Sequence, residues 1–261
     1  MTTLLICWTN RAKAGTLTAS AAASGLGPDQ VANDQGATSA AWQTPAGTTT
    51  AHLQLDAGSA VAWRALSIHR TNLTPAGTVR WRLSSDSTFA TALYDSGAVA
   101  GQVAAGYGQA VHVLSAEVTA RYLRLDLADA TNPQGFLSVP LLFAGPAWQP
   151  ALQWSPDSAE GTVTDLSVPV TRGGQEWPEL RWRKRRRSVA LPLVARDDRW
   201  PQLGELERAA AAGGNLLLVP SPAGDLAREP LFGPVAVEGV GYAGAAAHRF
   251  RSTRFTVTER L

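Results

Sequence analysis

The densest cluster of chemically active side chains is a basic run at residues 181–187, RWRKRRR. In a β-strand, side chains alternate between two faces, so one face of this run carries Arg181, Arg183, Arg185 and Arg187. Such a strip is either a solvated edge that resists aggregation or a contact with an acidic neighbouring subunit that fixes register and specificity. Nucleic-acid contact is a third alternative, but Trp182 is the single aromatic residue that the run offers for stacking.

Catalytic chemistry is not indicated elsewhere. The histidines are scattered without metal-ligand spacing, and no nucleophile elbow, phosphate loop or dinucleotide fingerprint is present. The adjacent Asp197 and Asp198 suit a helix cap better than an acid–base pair. Cys7, the single cysteine, lies in an apolar run and is interpreted as a small buried hydrophobic residue. We therefore expect no enzymatic activity and no cofactor.

Composition sets few further limits. A formal net charge of +2 over 261 residues creates no field that demands nucleic acid as a partner. The N-terminus lacks a basic region followed by an apolar stretch, so no secretion signal is expected. The apolar runs are shorter than the ~18 residues that cross a bilayer, so no membrane insertion is expected.

The first part of the chain alternates like a β-sheet protein. Val79, Trp81 and Leu83 fall on one face of a predicted strand at 78–84, and similar short runs recur at 52–56, 64–70, 109–115, 121–127 and 136–143. One apolar and one polar face per strand is typical of a sandwich. We predict a mainly β protein whose N-terminal domain is a jelly-roll β-sandwich.

A proline-flanked segment, GPAWQP at 145–150, predicts a boundary between domain 1–147 and domain 148–261. The second domain combines strand-like runs with one amphipathic helix near 201–212, in which Leu203, Leu206 and Ala210 have helical spacing. An α+β domain with one short helix on a small sheet or sandwich is expected, with a loop at 241–248.

The first half resembles the discoidin, or coagulation-factor type C, form of the galactose-binding-like jelly roll. The resemblance rests on Asp34, Thr38 and Trp42 after a Ser-rich opening strand, on the hairpin at 71–97, and on the closing strand at Tyr122–Leu125. It implies two kinds of site. Exposed aromatic residues at one end of the sandwich would bind sugar, and Trp63 and Tyr107 are the candidates.

The same resemblance implies a structural calcium at Asp34 and Thr38, whose oxygen ligands would suit that ion. The alternative is an Asx-type turn that positions Trp42 in the core.

A second resemblance, to a more specific group of proteins, covers most of the chain. The 71–97 hairpin, FAGPAWQP at 143–150, Gly173-Gly174-Gln175 and Leu231-Phe232-Gly233 are similar to segments of tail-tip proteins of long-tailed phages and prophages. This implies a distal-tail or baseplate component of a virion, assembled in the host cytoplasm. Its partners would be a homo-oligomeric ring, expected to be a hexamer, other tail proteins and a host-surface glycan. The basic strip would line the subunit interface. The alternative function is a stand-alone carbohydrate-binding, lectin-like protein.

Overall fold

The computed structural model describes residues 4–152, 154–242 and 249–260, and it is mainly β, with one short α-helix. Contacts divide the chain into two compact units. The first unit comprises residues up to Gln149 together with Leu217–Pro230, and the second comprises Pro150–Leu216 and Leu231–Arg260. The units therefore differ from the two contiguous halves that the sequence predicts.

The first unit is a β-sandwich. Its strands, in chain order, are β1 (Leu5–Cys7), β2 (Thr16–Ala19), β3 (Trp42–Gln43), β4 (Thr50–His69), β5 (Thr78–Ser84), β6 (Ala92–Asp95), β7 (Val99–Ala100), β8 (Gln109–Ala128), β9 (Ser138–Val139) and β10 (Leu141–Gly145). The predicted jelly-roll architecture is confirmed at the level of a mainly β sandwich.

Two long strands, β4 and β8, connect the halves of this sandwich. Their pairing is irregular between Asp56 and Val61. On one side of this irregularity they pair with β2 and β5; on the other, β4 pairs with β10. The strands predicted at 52–56 and 64–70 are thus the two ends of β4. Both halves contribute to one hydrophobic cluster, which is the core of the sandwich.

The predicted alternation within these strands is confirmed. Val79, Trp81 and Leu83 are fully buried, and so are Leu123 and Leu125 of β8. The Asn-Pro-Gly turn before β5 is held by the buried Asp129 carboxylate, which accepts hydrogen bonds from the Thr74 backbone N–H at 2.7 Å and from the Thr74 hydroxyl at 3.1 Å.

The first unit recruits a distant segment because β1 requires a partner. Leu5, Ile6 and Cys7 pair antiparallel with Val219, Leu218 and Leu217. Ile6 also exchanges backbone hydrogen bonds with Trp148. Cys7 is fully buried, and burial raises the pKa of its thiol far above its usual value, as expected of a small buried hydrophobic residue.

The second unit is an antiparallel sheet with a helix. Its elements are β11 (Ala159–Ser167), β12 (Glu179–Ala195), α1 (Gly204–Ala211), the start of β13 (Asn215–Val219), β14 (Leu231–Tyr242) and β15 (Phe250–Thr258). Within it, β12 pairs with β11 on one side and with β15 on the other, and β15 pairs with β14. Strand β14 was not predicted, because Gly233, Pro234, Gly239 and Gly241 interrupt its apolar pattern.

Helix α1 is shorter than the predicted 201–212. A 3₁₀ turn at Arg196–Asp198 and a π-helical turn at Arg199–Leu203 precede it, so Asp197 and Asp198 lie in the lead-in turn and do not cap the helix. Among the described residues, no helix combines the length and hydropathy needed to cross a membrane. Of the loop expected at 241–248, Gly241 and Tyr242 belong to β14, and the rest lies outside the described residues.

Candidate functional site

Tyr107 lies in the loop that leads into β8, at the surface of the first unit. Gly106 and Gly108 on either side of it have positive φ angles of 81° and 57°, which glycine adopts at little cost. The Tyr107 N–H donates to the Ala104 carbonyl at 3.1 Å. This tight turn leaves the Tyr107 side chain 40% exposed.

A charged pair from a distant part of the chain lies near Tyr107. The Arg228 guanidinium donates to the Asp225 carboxylate at 2.5 Å. The hydrogen bond within this pair raises the pKa of Arg228 and lowers that of Asp225. The segment is fixed because the Gln109 side-chain amide donates to the carbonyls of Ala227 and Pro230.

Together, Tyr107, Asp225 and Arg228 form what we call the loop site. It offers an aromatic face, a hydrogen-bond donor and an acceptor, a combination that can hold a ring bearing hydroxyl groups. The sequence indicates Tyr107 but neither charged residue, because residues 108–224, which include the Pro150–Leu216 part of the second unit, separate them along the chain. No local spacing could have identified the pair.

Trp63, the other aromatic residue predicted to bind sugar, is unavailable to a ligand. Its side chain is fully buried, and its indole N–H donates to the Ala120 carbonyl at 2.8 Å. The expected exposure was wrong because β4 runs on through Gly58 instead of turning there, which places Trp63 within a core strand. Trp42 and Trp81 are buried as well.

The proposed calcium ligands do not fit a metal site. The Lys13 ammonium lies 2.7 Å from the Asp34 carboxylate, so a cation already occupies the position that an ion would need. No group of three or more His, Cys, Asp or Glu suited to a metal occurs among the described residues. An Asx turn is present, but Asn33 forms it: its side-chain oxygen accepts from the backbone N–H groups of Gln35 and Gly36, both at 2.8 Å.

The basic strip is only partly exposed. Arg187 is buried, donates to the Glu160 carboxylate and lies over the Trp154 ring. Arg185 is engaged by Glu259 through both its guanidinium and its backbone N–H. The expectation that four arginines face a partner is therefore corrected: Arg187 enters the core of the second unit, and Arg181 and Arg183 are exposed.

Arg181 and Arg183 lie on an extended hairpin whose apolar side chains are exposed. We define the apolar hairpin as residues 162–184, the distal parts of β11 and β12 with the turn between them. Its tip is ordered by hydrogen bonds between Thr171 and Gln175 around Gly174, which has a φ angle of 79°. Six large apolar side chains are more than a third exposed along it: Leu166, Val168, Val170, Trp177, Leu180 and Trp182.

The described histidines have structural partners. His69 bonds the Ser67 hydroxyl at 2.8 Å, His112 bonds the Tyr94 hydroxyl at 2.5 Å, and His52 bonds Arg124 at 3.0 Å. Burial lowers the pKa of His112 and of His52. His248 lies outside the described residues.

Comparison with known proteins gives structural neighbours for about half of the chain. No family model matches, and no curated protein matches. Similar solved structures include the chitosan-binding module 1 of a chitosanase/glucanase from Paenibacillus sp. IK-5, 19% identical over 53% of this chain and 99% of that one, with a TM-score of 0.40.

Two further neighbours are glycan-binding domains. The lectin domain of lectinolysin complexed with Lewis B antigen is 14% identical over 52% of this chain and 95% of that one, with a TM-score of 0.42. A Streptococcus pneumoniae fucose-binding module is 16% identical over 53% and 95%, also with a TM-score of 0.42. The structural neighbours are thus carbohydrate-binding modules and lectins, at a level of likeness that does not transfer a ligand to this chain.

Proposed function

We propose that this chain is a non-catalytic glycan-binding protein whose sandwich unit holds a saccharide at the loop site. The observation that carries the proposal is the exposed Tyr107 ring on the loop to which the Gln109 side chain ties the segment of the Arg228–Asp225 pair. The C–H face of a sugar packs on an aromatic ring, and adjacent hydroxyl groups bond the guanidinium and the carboxylate. One ring and two polar groups support weak binding, in the millimolar-to-micromolar range, ~4–8 kcal/mol.

A glycan array probed with the full chain tests this function, followed by titration of any hit with Tyr107→Ala and Tyr107→Phe. We expect Tyr107→Ala to abolish binding and Tyr107→Phe to retain most of it, because the ring supplies the packing surface. Leu93→Ala is the matched control, since Leu93 is exposed on the same unit away from this loop. An array without hits, or one in which Tyr107→Ala weakens none of the hits, would refute the proposal.

A second candidate function is that of a structural tail-tip subunit of a phage or prophage, located in the virion. The apolar hairpin supports it, because large exposed apolar patches mark protein–protein contacts, and β11 lies at the outer edge of its sheet. The exposed Arg181 and Arg183 would add charge specificity to a subunit contact. In such an assembly the sandwich unit would project as the glycan reader.

Light scattering after size exclusion, across protein concentration and salt, tests the tail-tip candidate. We expect a discrete ring-sized oligomer that Trp177→Ser with Leu180→Ser converts to monomer and that Arg183→Glu weakens. Leu193→Ser is the control, because Leu193 is an exposed apolar residue of β12 outside the hairpin. A chain that stays monomeric at all concentrations, alone and with a tail-tube protein, would contradict this candidate.

A further inference from the structure

A cavity in the second unit combines aromatic and cationic side chains. It has a volume of about 570 Å³, and its walls include Arg196, Asp197, Arg199, Trp200, Tyr242 and Arg251. We call it the arginine cavity. The turns that precede α1 supply one wall, and the paired ends of β14 and β15 supply the other, where Tyr242 and Arg251 are register partners.

The aromatic residues of this cavity are unusually accessible. Trp200 is 70% exposed and Tyr242 is 73% exposed, although burying either ring would stabilise a fold by a few kcal/mol (~2–3). Each ring has an arginine over one face. The Arg199 Cζ lies 4.4 Å from the centroid of the Trp200 ring, and the Arg251 Cζ lies 4.5 Å from the centroid of the Tyr242 ring. These contacts hold the rings in place at the rim of the cavity.

The side chains of Arg196, Asp197 and Arg199 have hydrogen-bonding groups without a partner among the described residues. The Arg199 guanidinium pairs with Glu207 at 3.0 Å through one nitrogen, while its buried Nη1 has no hydrogen-bond partner among the described residues. The side chains of Arg196 and Asp197 are exposed, and nothing in the described part of the chain pairs with either of them. The cationic side chains of Arg196, Arg199 and Arg251 line the cavity together with one carboxylate, that of Asp197, and this balance of charge favours a negatively charged ligand.

We propose that the arginine cavity binds an acidic saccharide, one bearing carboxylate or sulfate groups. The guanidinium groups would bond the anionic substituents, the rings of Trp200 and Tyr242 would pack on the sugar faces, and the Asp197 carboxylate would accept hydrogen bonds from hydroxyl groups. The Asp197 carboxylate needs a hydrogen-bond donor, and the free hydroxyl groups of a saccharide supply several, whereas the sugar–phosphate backbone of a DNA strand supplies none. This inference concerns a different unit from the loop site and does not depend on it.

Calorimetric titration of the full chain tests the proposal with four probes: a heparin-derived sulfated tetrasaccharide, tetragalacturonate, maltotetraose and a short oligothymidylate. We expect one-to-one binding of at least one acidic saccharide, weakening as salt rises, and none of maltotetraose. Trp200→Ala and Arg196→Gln should each weaken binding about tenfold. Trp177→Ala and Arg183→Gln are the matched controls, because both residues are exposed on the apolar hairpin outside the cavity.

The outcomes separate this site from its alternatives. Binding that the two cavity variants weaken and the two hairpin variants leave unchanged supports the proposal. It is overturned if neither acidic saccharide binds, if the hairpin variants weaken binding equally, or if oligothymidylate binds more tightly than both saccharides. Tyr107→Ala distinguishes the two sugar sites, since it should abolish binding at the loop site and leave acidic saccharide binding intact.

Discussion

The β4–β8 pair of the first unit and the β11–β12 pair of the second are both long and antiparallel, yet their apolar side chains are covered very differently. In the sandwich, the apolar face is buried and the outer arginines pair with carboxylates, as Arg82 and Arg124 do with Asp126. In the apolar hairpin, Leu166 and Leu180 face each other across the strands, and both are more than half exposed.

The comparison shows that the same alternating pattern serves two purposes. Where a second layer covers a strand pair, alternation produces a core; where no layer exists, it produces a surface that exposes apolar side chains. Such a surface lowers solubility and invites edge-to-edge pairing, and the subunit contact of the tail-tip candidate would cover it. Three predictions test how sharp the difference between the two pairs is.

The largest effect is expected from removing one tryptophan of the sandwich and one of the apolar hairpin. Trp63→Ala should lower the free energy of unfolding by about 3–5 kcal/mol, because it empties a core position and loses the bond to the Ala120 carbonyl. Trp177→Ala, on the hairpin, should change it by less than ~0.5 kcal/mol. Urea denaturation followed by circular dichroism measures both. Equal losses for the two variants would mean that the hairpin is as well covered as the core.

A glycine in each unit gives an intermediate effect. A β-carbon at Gly145, in β10 beside β4, would lie 2.0 Å from the Thr9 carbonyl oxygen, whereas one at Gly161 in β11 would meet nothing within 4 Å. Gly145→Ala should therefore destabilise by roughly 1–3 kcal/mol, and Gly161→Ala should be neutral. Thermal unfolding measures the difference. A neutral Gly145→Ala would contradict the close backbone approach.

The smallest effect is a pH dependence located in the sandwich. Burial lowers the pKa of His112 below 6.5, so the unfolded chain binds a proton that the folded chain excludes. The free energy of unfolding should then decrease as pH falls below 6.5 and level off below the folded pKa. His112→Gln should remove this part of the dependence. Denaturation between pH 5 and 7.5 measures it, and an unchanged slope in the variant would assign the effect elsewhere.

The sequence predicts short-range order well in this chain. Alternation identified the buried faces of β5 and β8, because burial within a strand follows from side-chain period, and the apolar run around Cys7 identified Cys7 as buried. The start of helix α1 was predicted less accurately than its end, since the π-helical turn that precedes it has no distinct sequence signal.

Side-chain exposure and ion-pair partners that depend on pairing between distant segments could not be predicted from the sequence. Trp63 was expected to be exposed because Gly58 suggested a turn, but the pairing of β4 with β8 carries the strand past it. Arg185 and Arg187 were placed on a free face because their acidic partners, Glu259 and Glu160, lie on other strands. Asp225 and Arg228 of the loop site belong to Leu217–Pro230, a segment of the first unit that the second unit separates from the rest of it along the chain.

The pairing of β1 with residues 217–219 has a consequence for biosynthesis. The first unit begins at the start of the chain, but its last strand partner leaves the ribosome only after most of the second unit has been made. At ~5–20 residues per second, β1 waits many seconds with its hydrogen-bonding edge and the apolar Leu5, Ile6 and Cys7 uncovered. Such a long-range closure slows folding and leaves this edge exposed to aggregation until residues 217–219 have been synthesised.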